Sequence, residues 1–217
     1  MNGRRPGRAP IGRSGLGLDL ALVGLSVATA VSLVRAFRTW DELGRLVAIV
    51  VAAHGLSHLG RRLRLGALAS TFALLAAGTV VITLLWYRDL STFGLPGPAV
   101  VDAAVDDLRT AFGPFRTLVA PVDALPGFTL AFAIGLWLMA VFADLAAVRA
   151  EAPVQAAAPH VAVFVFSSVL LLGRHATVAT VVFTAALIAY RLALRATQLA
   201  VDGQRGVRAR RATWAMG

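Results

Sequence analysis

The chain has 217 residues, 58% of them apolar, with 21 basic residues against 11 acidic ones for a net charge of +10, and no cysteine. That apolar share stands well above the roughly 45–50% of soluble domains, so the first solvent to consider is the membrane. The missing thiols exclude disulfides, thiolate metal sites, iron–sulfur clusters and cysteine nucleophiles.

Every basic residue is arginine. The arginines flank apolar runs instead of forming one patch, so they read as topology signals and no nucleic-acid partner is expected. Arginine without lysine, amid abundant Ala, Val, Leu and Gly, points to a GC-rich bacterial genome.

Residues 1–14 form a basic tail carrying Arg4, Arg5, Arg8 and Arg13. The apolar run 15–34 follows. It is longer than a signal-peptide core and leads into Arg35 and Phe37, not into a small-residue cleavage site, so it reads as a retained first span. Further runs occupy about 43–60, 65–87, 127–147, 157–173 and 176–194. Each is long enough, or nearly so, to cross a hydrocarbon core that needs about 20 residues of helix. Open strands would leave backbone groups unpaired in lipid, and the alternation of a β-barrel is absent. The expected fold is all-α: a polytopic membrane bundle of six transmembrane helices plus one amphipathic helix outside. The organisation is a tail over 1–14, three spans over 15–87, a loop over 88–126, three spans over 127–194 and a basic tail over 195–217.

The loop 88–126 has helical periodicity. Val101, Ala104, Val105, Leu108, Phe112 and Phe115 recur at helical spacing, while Asp102, Asp106, Asp107 and Arg109 point elsewhere. Gly113-Pro114 is a stop signal, and Pro96, Pro98, Pro121 and Pro126 constrain the flanks. This predicts an amphipathic helix on the membrane surface.

Orientation follows from arginine placement. With the N-terminus inside, fourteen arginines fall in inside segments and six in outside ones, Arg45 lying within a span. The positive-inside rule then sets both termini in the cytoplasm of a multi-pass cell-membrane protein. Trp40, Trp86, Tyr87 and Phe128 gather at the outer boundary, as an aromatic belt would.

His54 and His58 share one helix face at a spacing that can hold a metal, but no acidic residue lies between them and two ligands are too few. Packing or interfacial histidines are the simpler reading, with ligation or proton handling as the rival. Asp144 lies inside the fourth span, where an ionisable group is costly unless it faces protein or water. Asp19, His58, Asp144 and His160 fall toward the same, cytoplasmic side and are candidates for inter-helix polar pairing, with a proton or ion pathway as the alternative. Gly12, Gly15 and Gly17 lack the strand and Lys-Ser/Thr of a phosphate loop. Ala76, Ala77, Gly78, Ser167 and Ser168 are small enough for close helix packing. The arginines of residues 204–214 read as an anchor on anionic lipid.

The segments GLPGPAVVDAAVDDLRTAF, APVDALPGF and FADLAAVRAEAP, the last followed by VAVFVFSSVLLL, carry a resemblance over residues 15–214. In this order they resemble the N-terminal membrane region of bacterial TgpA-type transglutaminase-like membrane proteins, especially the actinobacterial form. In that family the helices precede an extracytoplasmic domain with a Cys-His-Asp triad. This chain has no cysteine, so none of the triad carries over. The enzymatic part is then encoded separately, lost, or missing because the sequence is a fragment. The resemblance implies anchoring, with no catalysis and no cofactor of the chain's own.

The resulting expectation is a scaffold module that positions an extracytoplasmic, transglutaminase-like partner, its other partner being the lipid bilayer. Asp102, Asp106 and Arg109 are the candidate docking residues. The alternative is a small transporter or channel subunit, which broken helices and internal repeats would favour.

Overall fold

A computed structural model describes residues 16–114, 117, 119–149, 152–171 and 175–214, with side chains at all of these except 148, 149 and 201–214. Residues 1–15, Phe115, Arg116 and Arg174 lie outside the described residues. The elements are α1 (Leu16–Val34), α2 (Leu43–Arg62), α3 (Ala67–Trp86), a 3-10 turn (Arg88–Leu90), α4 (Pro98–Phe112), α5 (Pro126–Asp144) running into a π turn (Leu145–Arg149), α6 (Pro153–Ala156), α7 (Ala158–Leu170) and α8 (Ala176–Trp214). No strand occurs among the described residues; the extended pairing there is limited to the isolated bridges Phe37–Val122 and Thr92–Leu95.

Among the described residues, six segments are long and apolar enough to cross a membrane. They are α1, α2, α3, α5 with the start of its π turn, α6 with α7, and the first 25 residues of α8. The protein is therefore a multi-pass helical membrane bundle. The fifth span is made in two pieces, because Pro153 and Pro159 each fit only the first turn of a helix. The last span does not stop at residue 194. Its helix continues to Trp214, 39 residues in all. At 1.5 Å per residue that is about 58 Å, nearly twice the hydrocarbon thickness, so its basic end projects beyond the bilayer. The basic tail expected from residue 195 onward is a helical extension of the sixth span.

The hub is α1, which packs against α2, α5, α7 and α8. Its middle is made of small buried residues, Ser26, Ala28, Thr29, Ala30 and Ser32, and these allow the close approach that holds helices together in lipid. Leu46, Ile49, Val50, Leu136 and Trp137 fill the core between α1, α2, α3 and α5. A second core joins Leu18, Leu22 and Leu25 of α1 to Phe183, Tyr190 and Leu194 of α8. The outer faces of α3, α7 and α8 expose Leu68, Phe72, Phe166 and Val181, as lipid-facing residues should.

Trp137 shows why Gly78 is glycine. The indole Nε1 donates a 3.0 Å hydrogen bond to the Leu74 carbonyl, and the ring lies directly over Gly78, where a Cβ would collide with it. Gly78→Val should cost about 1–3 kcal/mol of stability by overpacking. Gly135→Val, where a Cβ meets open space, should cost much less. Thermal unfolding of the two variants in detergent checks the difference.

Candidate functional site

Among the described residues, two polar clusters that contain histidine lie inside the bundle. The first is at the end of the spans that carries Arg61 and Arg62. Here α1, α2 and α5 contribute Asp19, His58, Arg61 and Asp144. His58 Nδ1 donates to Asp19 Oδ2 at 2.9 Å, Arg61 Nη2 pairs with Asp19 Oδ1 at 2.7 Å, and Arg61 Nη1 donates to Asp144 Oδ1. Asp144 is 2% exposed, and the guanidinium that meets it offsets the cost of burying its charge. Arg61 is the shared member. It bridges a carboxylate on each side and locks three helices together.

The second cluster lies deeper, one helical turn along α2. Ser26 Oγ is 2.9 Å from His54 Nε2 and 2.8 Å from His160 Nε2, and His160 Nδ1 is 3.2 Å from the Ala156 carbonyl. A carbonyl only accepts, so His160 carries its hydrogen on Nδ1 and accepts at Nε2. Ser26 then donates to His160 and accepts from His54 Nε2–H. One serine hydroxyl of α1 thus orders the tautomers of two buried histidines, one from α2 and one from α7.

Farther along the α1–α7 seam, Ser32 and Ser167 share a 2.5 Å hydrogen bond and Arg35 donates to the Leu171 carbonyl at 2.8 Å. Arg35 had the sequence signature of a loop charge. It is buried instead, at the C-terminal end of α7, where a cation complements the exposed carbonyls.

Of the four candidate pairing residues, Asp19, His58 and Asp144 come together. His160 does not join them; its partners are Ser26 and the Ala156 carbonyl. His54 belongs to this second cluster as well, four residues from His58 but in a different network. Arg61 and Ser26, the central residues of the two clusters, carry no mark in the sequence that sets them apart from a flanking arginine and a small packing residue. Among the described residues no three His, Asp or Glu side chains could hold a metal ion.

The opposite end of the bundle carries α4. Gly97-Pro98 starts it, Gly113 closes it, and it seats on α5. The seating face is Val100, Ala103, Ala104, Asp107, Leu108 and Ala111. Val101 and Val105, expected on that face, are exposed at its edge and border an apolar cavity, while Phe112, also partly exposed, packs edge-on against Phe128 of α5. Asp107, expected to point away, is turned inward and accepts a 2.8 Å hydrogen bond from the Tyr87 hydroxyl. Burial, then the Asp107 bond and charge, hold the Tyr87 hydroxyl above its ordinary pKa. This bond is therefore complete below about pH 10 and fails only in stronger alkali. Gly127 lets α5 start directly beneath the Asp107 backbone, where a Cβ would collide. Tyr87 and Phe128 are buried under α4, so they belong to its seat and not to a lipid-facing belt. Asp102, Asp106 and Arg109 are exposed.

Beside α4, residues 92–95 form a tight turn with Phe93 at φ 54° and Gly94 at φ 77°. Phe93 is fully exposed at its tip, with Leu90 and Leu95 exposed nearby. A bulky residue in the left-handed region is rare. Below α4, between α3 and α5, lies an apolar cavity of about 370 Å³ lined by Leu75, Ile82, Val105 and Trp137 among others.

Fold and site together define a polytopic α-helical membrane protein with an internally clamped bundle and a surface helix fixed across one end. Comparison with family models, curated proteins and solved structures returns no match for this chain.

Proposed function

We propose that this protein is a membrane-embedded anchoring module whose surface helix α4 positions an extracytoplasmic enzymatic partner, of the transglutaminase-like kind that the sequence resemblance implies. The observation that carries this reading is the way α4 is held. Tyr87 fixes Asp107 and Gly127 admits the backbone, while Asp102, Asp106 and Arg109 are left free to meet another protein. A helix pinned on one face and charged on the other is a rigid presenting surface, and complementary charge there would set partner choice and association rate. The chain itself acts as a scaffold and leaves the chemistry to the partner.

In this reading α4 is outside and both termini are cytoplasmic, in line with the arginine asymmetry and with six spans. Single cysteines at Ser14, Thr110 and Thr213 test the arrangement in intact cells with a membrane-impermeant thiol reagent. Thr110 should label, and Ser14 and Thr213 should label only after permeabilisation. The reverse pattern would refute the orientation.

The buried histidines favour a second reading as a small transporter or channel subunit. The His54–Ser26–His160 chain is the kind of array that can pass a proton. Thr29, between Ser26 and Ser32 on α1, does not extend this chain as a donor, because its hydroxyl bonds back to the Leu25 carbonyl of its own helix at 2.9 Å. The scaffold reading is tested by co-expressing the chain with the enzyme it serves and purifying the pair. D102R/D106R should weaken co-purification about tenfold while folding changes by no more than about 0.5 kcal/mol. A proton flux in reconstituted vesicles that is lost in His160→Gln would favour the transporter instead.

A further inference from the structure

A groove of about 530 Å³ opens beside α8 at the Arg61 end of the bundle, bordered by Val154 of α6. Its position is fixed by the hydrogen bond from the Tyr190 hydroxyl to the Pro153 carbonyl, which ties α8 to α6. The lining changes character along the helix axis. Leu187 and Ile188 form an apolar wall at one end, Arg191 and Leu192 lie one turn on, and Arg195 and Gln198 lie toward the projecting end of α8. Among the described residues no carboxylate lines it. From Leu187 to Gln198 the rise is about 16 Å, enough to pass from acyl-chain depth to headgroup depth.

We propose that this groove is a binding site for one anionic glycerophospholipid, with its phosphate held by Arg191 and Arg195 and an acyl chain lying against Leu187, Ile188 and Leu192. Three features favour this occupant. Arg191 and Arg195 are one helical turn apart, so their guanidinium groups face the same space and can clamp one phosphate with paired hydrogen bonds. Both side chains are exposed, with no ion pair to a carboxylate among the described residues. The order of apolar wall then basic rim matches the order of chain then phosphate in a lipid leaflet. Basic pockets at the ends of spans are a common form of lipid headgroup recognition. The site is remote from α4 and stands whether or not α4 docks a partner.

The test is native mass spectrometry of the full chain released from mixed micelles of phosphatidylglycerol and phosphatidylcholine. The wild-type chain should retain phosphatidylglycerol in preference to phosphatidylcholine. R191Q/R195Q should lose this preference about thirtyfold, the combined effect of two basic residues near a membrane surface. Arg62→Gln, a basic residue at the same end outside the groove, should keep it. Leu192→Trp, which fills the apolar wall and leaves both arginines in place, should also weaken retention and guards against a folding defect in the double variant. Millimolar inorganic phosphate should not displace the lipid. Retention unchanged in R191Q/R195Q, equal retention of phosphatidylcholine by the wild type, or displacement by inorganic phosphate would each overturn the proposal.

Discussion

Arg61→Met should be among the most damaging substitutions in this protein. It takes the guanidinium from two carboxylates at once, Asp144 on α5 and Asp19 on α1, of which Asp19 keeps its bond to His58. Removing one member of a buried pair costs about 3–5 kcal/mol, and a group nearer the interface costs less. Arg61 and Asp19 are partly accessible while Asp144 is 2% exposed, so most of the loss comes from the Asp144 side. Asp144→Asn should be milder, because it leaves Arg61 with Asp19 and places a neutral amide in the buried position. The combination R61M/D144N should recover part of the loss of Arg61→Met, since the buried carboxylate that lost its guanidinium is gone. Midpoints of unfolding in detergent, with the monodisperse fraction on size exclusion, give the comparison. A double variant no better than Arg61→Met would mean that the bridge is not what the arginine contributes.

Ala111→Asp should have a comparably large effect at the other end. Ala111 is fully buried between α4 and the start of α5, in a cluster with Phe37 and Phe128. A carboxylate there has no partner and no water, and α4 escapes the cost only by leaving its seat. The penalty is about 3 kcal/mol or more, concentrated in α4, which can lift off while α5 keeps its packing on α2 and α3. Protease cleavage within 98–112 should rise sharply in Ala111→Asp, while the spans keep their helix content by circular dichroism. The exposed Asp106→Arg should leave cleavage unchanged.

Much of this architecture could be read from residue patterns. Six spans follow from run length and the absence of charge, and the surface helix follows from spacing between prolines and glycines. What could not be read is which face meets which. Val101 and Val105 look like the seating stripe of α4 because they are apolar, yet the helix seats through Ala103, Ala104, Asp107 and Ala111. In lipid an apolar residue loses nothing by facing outward, so hydrophobicity no longer marks the packed side, and small residues mark it instead. The same limit hid Arg61. By position it looks like an interfacial topology charge, and only the crossing of α1 and α5 over α2 makes it a bridge. Asp144 was legible because an acid within a span demands a partner; the identity of that partner was not. Ser26 looked like any small packing residue, and the pair of histidines on either side of it comes from helices 28 and 134 residues away in sequence.

The central claim is that the exposed face of α4 presents a partner on the extracytoplasmic side. It is tested most directly by a photo-crosslinking amino acid at position 106 in the otherwise native chain, activated in intact membranes. The account predicts a discrete adduct with one extracytoplasmic enzymatic protein, lost in D102R and retained when the crosslinker is accompanied by Arg62→Gln at the opposite end. Crosslinks to lipid alone, or to the protein's own spans, would contradict it and leave α4 as a lid over the helix bundle.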